Sequence, residues 1–146
     1  MRTIHHVLDI ASPVTPVWTA LTDPDGLAGW WSTKLTSDGA RVGSKIRFTF
    51  AGDFNPVMEV TGVEQEAALH WLCVSGHANW QDNTFDFELV PLPDGRTRLR
   101  FTQNYATELS DDDYGVYNFN WGYYLESLRL LCVEARGKPF PAPDPG

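Results

Sequence analysis

Cysteine is scarce in this chain of 146 residues, which holds only Cys73 and Cys132. Two thiols, each inside an apolar pattern, exclude a dense disulfide framework and read as free buried thiols, although the sequence leaves a contact between them open. Positive charge is also short: 11 Lys and Arg stand against 19 Asp and Glu, a formal charge of −8. That balance opposes nucleic acid and anionic membranes as partners. No apolar run approaches the roughly 18 residues of a membrane helix, and the N-terminal MRTIHH lacks the apolar core of a signal peptide, so a cytoplasmic location is expected. Linkers, repeats and low-complexity blocks are missing too, which suits one globular domain over residues 1–137 followed by a Pro-rich tail at 138–146.

Catalytic signatures are equally sparse. The chain has no Gly-x-Ser-x-Gly, no His-Glu-x-x-His and no Cys-x-x-Cys. Between Gly39 and Lys45 the glycine spacing is too short for a phosphate loop, and a strand pattern follows where a helix is required. His5 and Asp9 share one strand face with His6 on the other, and Cys73 and His77 are four apart, but neither set has the further ligands of a metal site. No residue set points to a cofactor.

What the chain does contain is a change of period from helical to alternating and back. In SPVTPVWTALTDPDGLAGWW, residues 12–31, Ser12 is placed to cap a helix begun by Pro13, and Val14, Val17, Trp18 and Leu21 follow at helical spacing. Thr22-Asp23-Pro24 stops that helix and caps a second one carrying Leu27, Trp30 and Trp31. Before this block, residues 3–10 alternate with Ile4, Leu8 and Ile10 on one face. After it come a short strand at 34–36, the alternation of Ile46, Phe48 and Phe50, and two strands at 56–63 and 68–74. The strand at 68–74 is apolar on both parities, so either His70 or Trp71 faces inward.

The next hairpin fixes its own register. Phe85, Phe87 and Leu89 share a face with Leu99, Phe101 and Gln103 only if the turn at Pro93-Asp94-Gly95 has three residues and Gly95 is left-handed, which pairs Phe87 with Phe101 and Glu88 with Arg100. A long helix then spans about 111–136, with Ser110 at its N-cap, three aspartates at the positive end of its dipole and Gly137 just past its end. Tyr114, Tyr117, Asn118, Trp121, Tyr124, Leu125, Leu128, Leu131, Cys132 and Ala135 form its sheet-facing stripe. Four prolines beyond Gly137 suit an extended or disordered tail.

This order of elements is α+β. A first strand, two short helices, a curved antiparallel sheet of six to seven strands and a long final helix resemble the helix-grip fold of the START-like, Bet v 1-like (SRPBCC) superfamily. More narrowly, Pro16 to Pro24, Leu27-Ala28 and Trp30-Trp31 resemble the branch named for the Hsp90 ATPase activator homologues. The Gly43 to Phe48 segment, the Gly95 to Leu99 strand entry and Asn120-Trp121-Gly122 resemble it as well. The resemblance implies a cavity between the last helix and the sheet.

Eight Phe, six Trp and five Tyr fit such a cavity. From strand parity and helix stripe its expected lining is Phe48, Phe50, Met58, Trp71, Phe85, Phe87, Phe101, Gln103, Tyr105, Tyr117, Asn118, Trp121 and Tyr124, with Gln103 and Asn118 orienting a polar group. Any one of these positions also suits a plain core; the set suits a cavity. Three functions stay open: binding of a small apolar or aromatic molecule, a polyketide cyclase or aromatase using an inward His70 or Tyr117, and association with an Hsp90-type chaperone through an exposed patch near Trp30, Trp31 or Trp80. A homodimer is compatible with each.

Overall fold

The computed structural model describes residues 1–141. Strand β1 (Thr3–Ile10) leads into helices α1 (Val14–Thr22) and α2 (Pro24–Trp30). Strands β2 (Leu35–Ser37), β3 (Lys45–Phe48), β4 (Val57–Glu64), β5 (Ala68–Ser75), β6 (Thr84–Pro91) and β7 (Thr97–Asn104) follow, and helix α3 (Asp111–Glu134) closes the order. One curved antiparallel sheet results, ordered β1-β7-β6-β5-β4-β3-β2, so the first strand joins the last of a continuous meander. Its concave face carries the apolar parity of each strand, and α1, α2 and α3 lie across it.

The expected hairpin forms as its pattern requires. Phe87 pairs with Phe101 and Glu88 with Arg100, while Leu92 and Arg96 close a three-residue loop in which Gly95 has φ +85°. An L side chain there would be strained. Asp23 also acts as expected, ending α1 through its own N–H to the Thr19 carbonyl while its carboxylate accepts the Asp25 N–H at 3.0 Å. Ser110 caps α3 through the Asp113 N–H at 3.1 Å.

Two helix ends differ from expectation. Ser12 does not cap α1: the helix begins at Val14, and Ser12 is turned inward where its carbonyl accepts the Thr97 hydroxyl at 2.8 Å. Packing against β7 outweighs a cap hydrogen bond there. At the other end α3 stops in a left-handed Ala135, two residues before Gly137. Gly137 is small for a different reason. Its Cα lies against the Gly29 carbonyl and Ser127, so any β-carbon would overlap them.

Ser127 is the polar knot of this corner. Its hydroxyl donates to the Trp30 carbonyl at 2.9 Å and accepts the Lys138 N–H at 2.6 Å, joining α3, α2 and the chain beyond α3. Residues 138–141 then run extended, with the Phe140 N–H donating to Trp31 O at 2.8 Å and the Thr33 N–H to Phe140 O at 2.9 Å. Pro143 and Pro145 of the expected tail lie outside the described residues. No helix among the described residues is long and apolar enough to cross a membrane.

Candidate functional site

Most of the expected cavity is filled. Phe48, Met58, Trp71, Phe85, Phe87, Phe101, Gln103 and Tyr105 all face the concave side, and all are at most 2% exposed. The filler comes from the connections. Trp31, the residue that ends α2, puts its indole 4.5 Å from Phe48, 6.1 Å from Trp71 and 5.2 Å from Trp121, centroid to centroid. Trp80, from the loop between β5 and β6, lies 5.1 Å from Phe85 and stacks on Trp121 at 6.0 Å and 8°. Trp30, Trp31 and Trp80 are therefore not themselves part of an exposed patch: they are 0%, 2% and 3% exposed.

What remains open is a cleft of about 360 Å³ against the Tyr117–Tyr124 stretch of α3. Four expected residues line it: Phe50, which continues the inward parity of β3, and Tyr117, Trp121 and Tyr124 on α3. The strand periodicity did not supply the others: Trp31, Ala51 and Phe54, then His77 and Trp80, then Asn120 and Phe140. Apart from Asn120, which stands beside Trp121 on α3, these seven sit in loops or in the segment after α3. Neither alternation nor helical spacing tells where such side chains point.

Asn83 holds the loop that carries Trp80. Fully buried, it donates through Nδ2 to Asn79 O at 3.2 Å and accepts the Ala106 N–H at 2.9 Å. In the same loop His77 Nδ1 accepts the Asn79 N–H at 3.1 Å, which puts the proton of the neutral ring on Nε2. Asn79 Nδ2 donates to Tyr117 Oη at 3.2 Å. Burial pushes the phenols of Tyr117 and Tyr124 up, so both stay protonated as donors at the mouth of the cleft.

Two residues expected to orient a ligand have other partners. Gln103 is sealed beneath the cleft with Oε1 accepting the Trp121 indole N–H at 2.7 Å. Asn118 is exposed at the β1 edge of α3, where its Oδ1 meets His6 Nε2 at 3.0 Å. His70 points to the convex face, its Nδ1 2.6 Å from Asp86 Oδ1, and Trp71 takes the inward position. A cyclase built on His70 loses its base. Tyr105 is a further buried polar group, its phenol pushed up by burial, with Trp80 and Gln103 as polar neighbours. Among the described residues none of Tyr105 Oη, Trp80 Nε1 and Gln103 Nε2 has a partner in hydrogen-bonding geometry.

Comparison with known proteins agrees with this architecture. The sequence model of the family described as Activator of Hsp90 ATPase homolog 1-like protein matches residues 11–132. Among solved structures, the Aha1 dimer from Colwellia psychrerythraea is 28% identical, with a TM-score of 0.80 over 90% of this chain and 96% of that one. Protein MLL2253 from Mesorhizobium loti is 25% identical, with a TM-score of 0.74 over 89% and 96%. CalU16 from Micromonospora echinospora shares the fold at 20% identity, with a TM-score of 0.71 over 99% of this chain and 78% of its own. The curated proteins give no match.

Proposed function

The chain belongs to the Activator of Hsp90 ATPase homolog 1-like family, and we propose that it binds a small apolar or aromatic molecule in the cleft between α3 and the sheet. The observation that carries this reading is the lining. Eight Phe, Trp and Tyr rings surround about 360 Å³ of space, with His77 and Asn120 as polar points and no Asp, Glu, Lys or Arg among the described lining residues. That volume lies within the usual range of ligand pockets, roughly 300–1,000 Å³, and a few polar groups on an apolar wall are their usual composition. His70, the base nominated from the sequence, lies on the opposite face of the sheet, so an enzyme reading would rest on Tyr117 and His77 in the cleft.

Native mass spectrometry of freshly purified protein tests it, by comparing the folded with the denatured mass. An excess of a few hundred daltons in the folded species is the expected result, and its mass gives the ligand class. The reading is abandoned if the two masses agree and a panel of aromatic fragments leaves the Trp31, Trp80 and Trp121 indole resonances unmoved.

A second reading concerns assembly. Val116, Phe119 and Tyr123 recur on the outer face of α3 at 57%, 75% and 42% exposure, and the Colwellia relative was solved as a dimer. Pairing of this face with a second copy would cover it. Sedimentation should then show a dimer that Phe119→Lys converts to monomer; a wild-type monomer at high micromolar concentration removes the idea.

A further inference from the structure

The rings round the cleft are arranged by orientation as well as by number. Trp31, Trp80 and Trp121 are mutually near-parallel, with interplanar angles of 20°, 28° and 8° and centroids 5.2–6.2 Å apart. Others stand across them: Phe50 at 64° to Trp31 and Phe54 at 83° to Trp80. With Tyr117, Tyr124 and Phe140 they line one small volume with eight aromatic rings. Ring faces are electronegative, and a cation within about 6 Å of several of them gains attraction that a neutral group of the same shape does not.

Two carboxylates stand near this aromatic box. Asp53, next to Phe54 in sequence, and Asp113, one turn before Tyr117 on α3, are the carboxylates whose fields reach the Tyr117 hydroxyl. Asn79 connects that hydroxyl with Asp113, at 3.2 and 3.5 Å. Among the described lining residues only His77 can carry positive charge, and the whole chain stands at −8. A carboxylate or phosphate ligand would meet no lysine or arginine among those residues.

We propose that the cleft selects an organic cation, a quaternary or tertiary ammonium with apolar substituents, seated against the aromatic lining of the open cleft with Asp53 and Asp113 attracting it from the rim. This rests on the cleft being a ligand site and adds the ligand's charge. The test compares choline with its neutral carbon isostere, 3,3-dimethylbutan-1-ol, and with indole as a plain aromatic probe, each titrated into the full chain while the tryptophan Nε1–H resonances are followed by NMR. Choline is expected to bind about tenfold more tightly than the alcohol. Replacing both rim carboxylates, in Asp53→Asn/Asp113→Asn, should weaken choline severalfold and leave the alcohol unchanged. Both positions are exposed, so the fold tolerates the change. Equal binding of choline and the alcohol, or shifts with indole alone, overturns the cation preference and leaves the apolar-ligand reading standing. Silence from all three probes overturns both.

Discussion

Alkali should destabilise this protein through Cys73 before it reaches most other groups. The thiol is fully buried between β4 and β6, and loss of hydration pushes it up to about 11 from its ordinary 9.0, the Ser75 carbonyl accepting its proton at 3.3 Å. In the unfolded chain the same thiol ionises near 9.0. Between these values the folded state keeps a proton that the unfolded state has lost, so the stability present below pH 9 falls as pH rises toward 11. Two pH units at about 1.4 kcal/mol each give a loss of about 3 kcal/mol, against a total stability of roughly 5–15 kcal/mol. Cys132 shifts the same way but is partly exposed and adds less. Urea unfolding followed by far-UV circular dichroism at pH 8, 9, 10 and 11 isolates Cys73 if wild type and Cys73→Ala are compared. At pH 8 the variant should be less stable by about 1 kcal/mol, the ordinary cost of a small core truncation. By pH 11 the order should reverse, because the variant has no thiol to ionise. A gap that stays constant across this range would refute the reasoning.

Two further substitutions probe the segment after α3. Phe140→Ala keeps the backbone bonds to Trp31 and Thr33 but removes a half-buried ring 5.5 Å from Phe50 at the rim of the cleft. It should cost about 1 kcal/mol, lower Tm by about 2–4 °C, and weaken indole binding by NMR titration; unchanged affinity would show that this wall is not used. Gly137→Ala forces a β-carbon onto the Gly29 carbonyl and to 2.9 Å from the Ser127 carbonyl. Because those atoms are backbone, the corner must open at a cost of about 1–3 kcal/mol, visible as a lowered Tm and as faster protease cleavage after α3, whereas an unaltered Tm would mean that Gly137 is not there for space.

The parts of this fold that were legible in the sequence are those whose period has one reading. The hairpin of β6 and β7 was fixed by alternation on both arms and a glycine at the one position that needs positive φ, and α3 by an apolar stripe too long for any strand. Ser12 and Gly137 misled because each residue type answers to two physical demands. Serine caps helices, but the Ser12 hydroxyl donates to Pro13 O at 3.1 Å while its backbone carbonyl accepts from Thr97. Glycine ends helices, but Gly137 is required by close approach to Gly29. Local pattern cannot separate a conformational need from a tertiary one.

The same limit decided the site. Strand parity named the concave face correctly, with Phe48, Trp71, Phe85, Phe87 and Phe101 all turned inward, but parity says nothing of what covers that face. The answer depended on Trp31 and Trp80, which enter from a helix end and a loop and occupy the space between sheet and α3. By filling the middle they also create the cleft, since the open volume begins where their indoles stop and is walled by the chain segments that follow: Phe50 and Phe54 after β3, Phe140 after α3. In this sheet-and-helix scaffold, shared with structures at 20–28% identity, the shape of the cleft is therefore set by the connections. Substituting Trp31 or Trp80 would reshape the site, whereas a substitution at Phe87, which packs on Trp71 and Phe101 rather than on the lining rings, would change stability without reaching it.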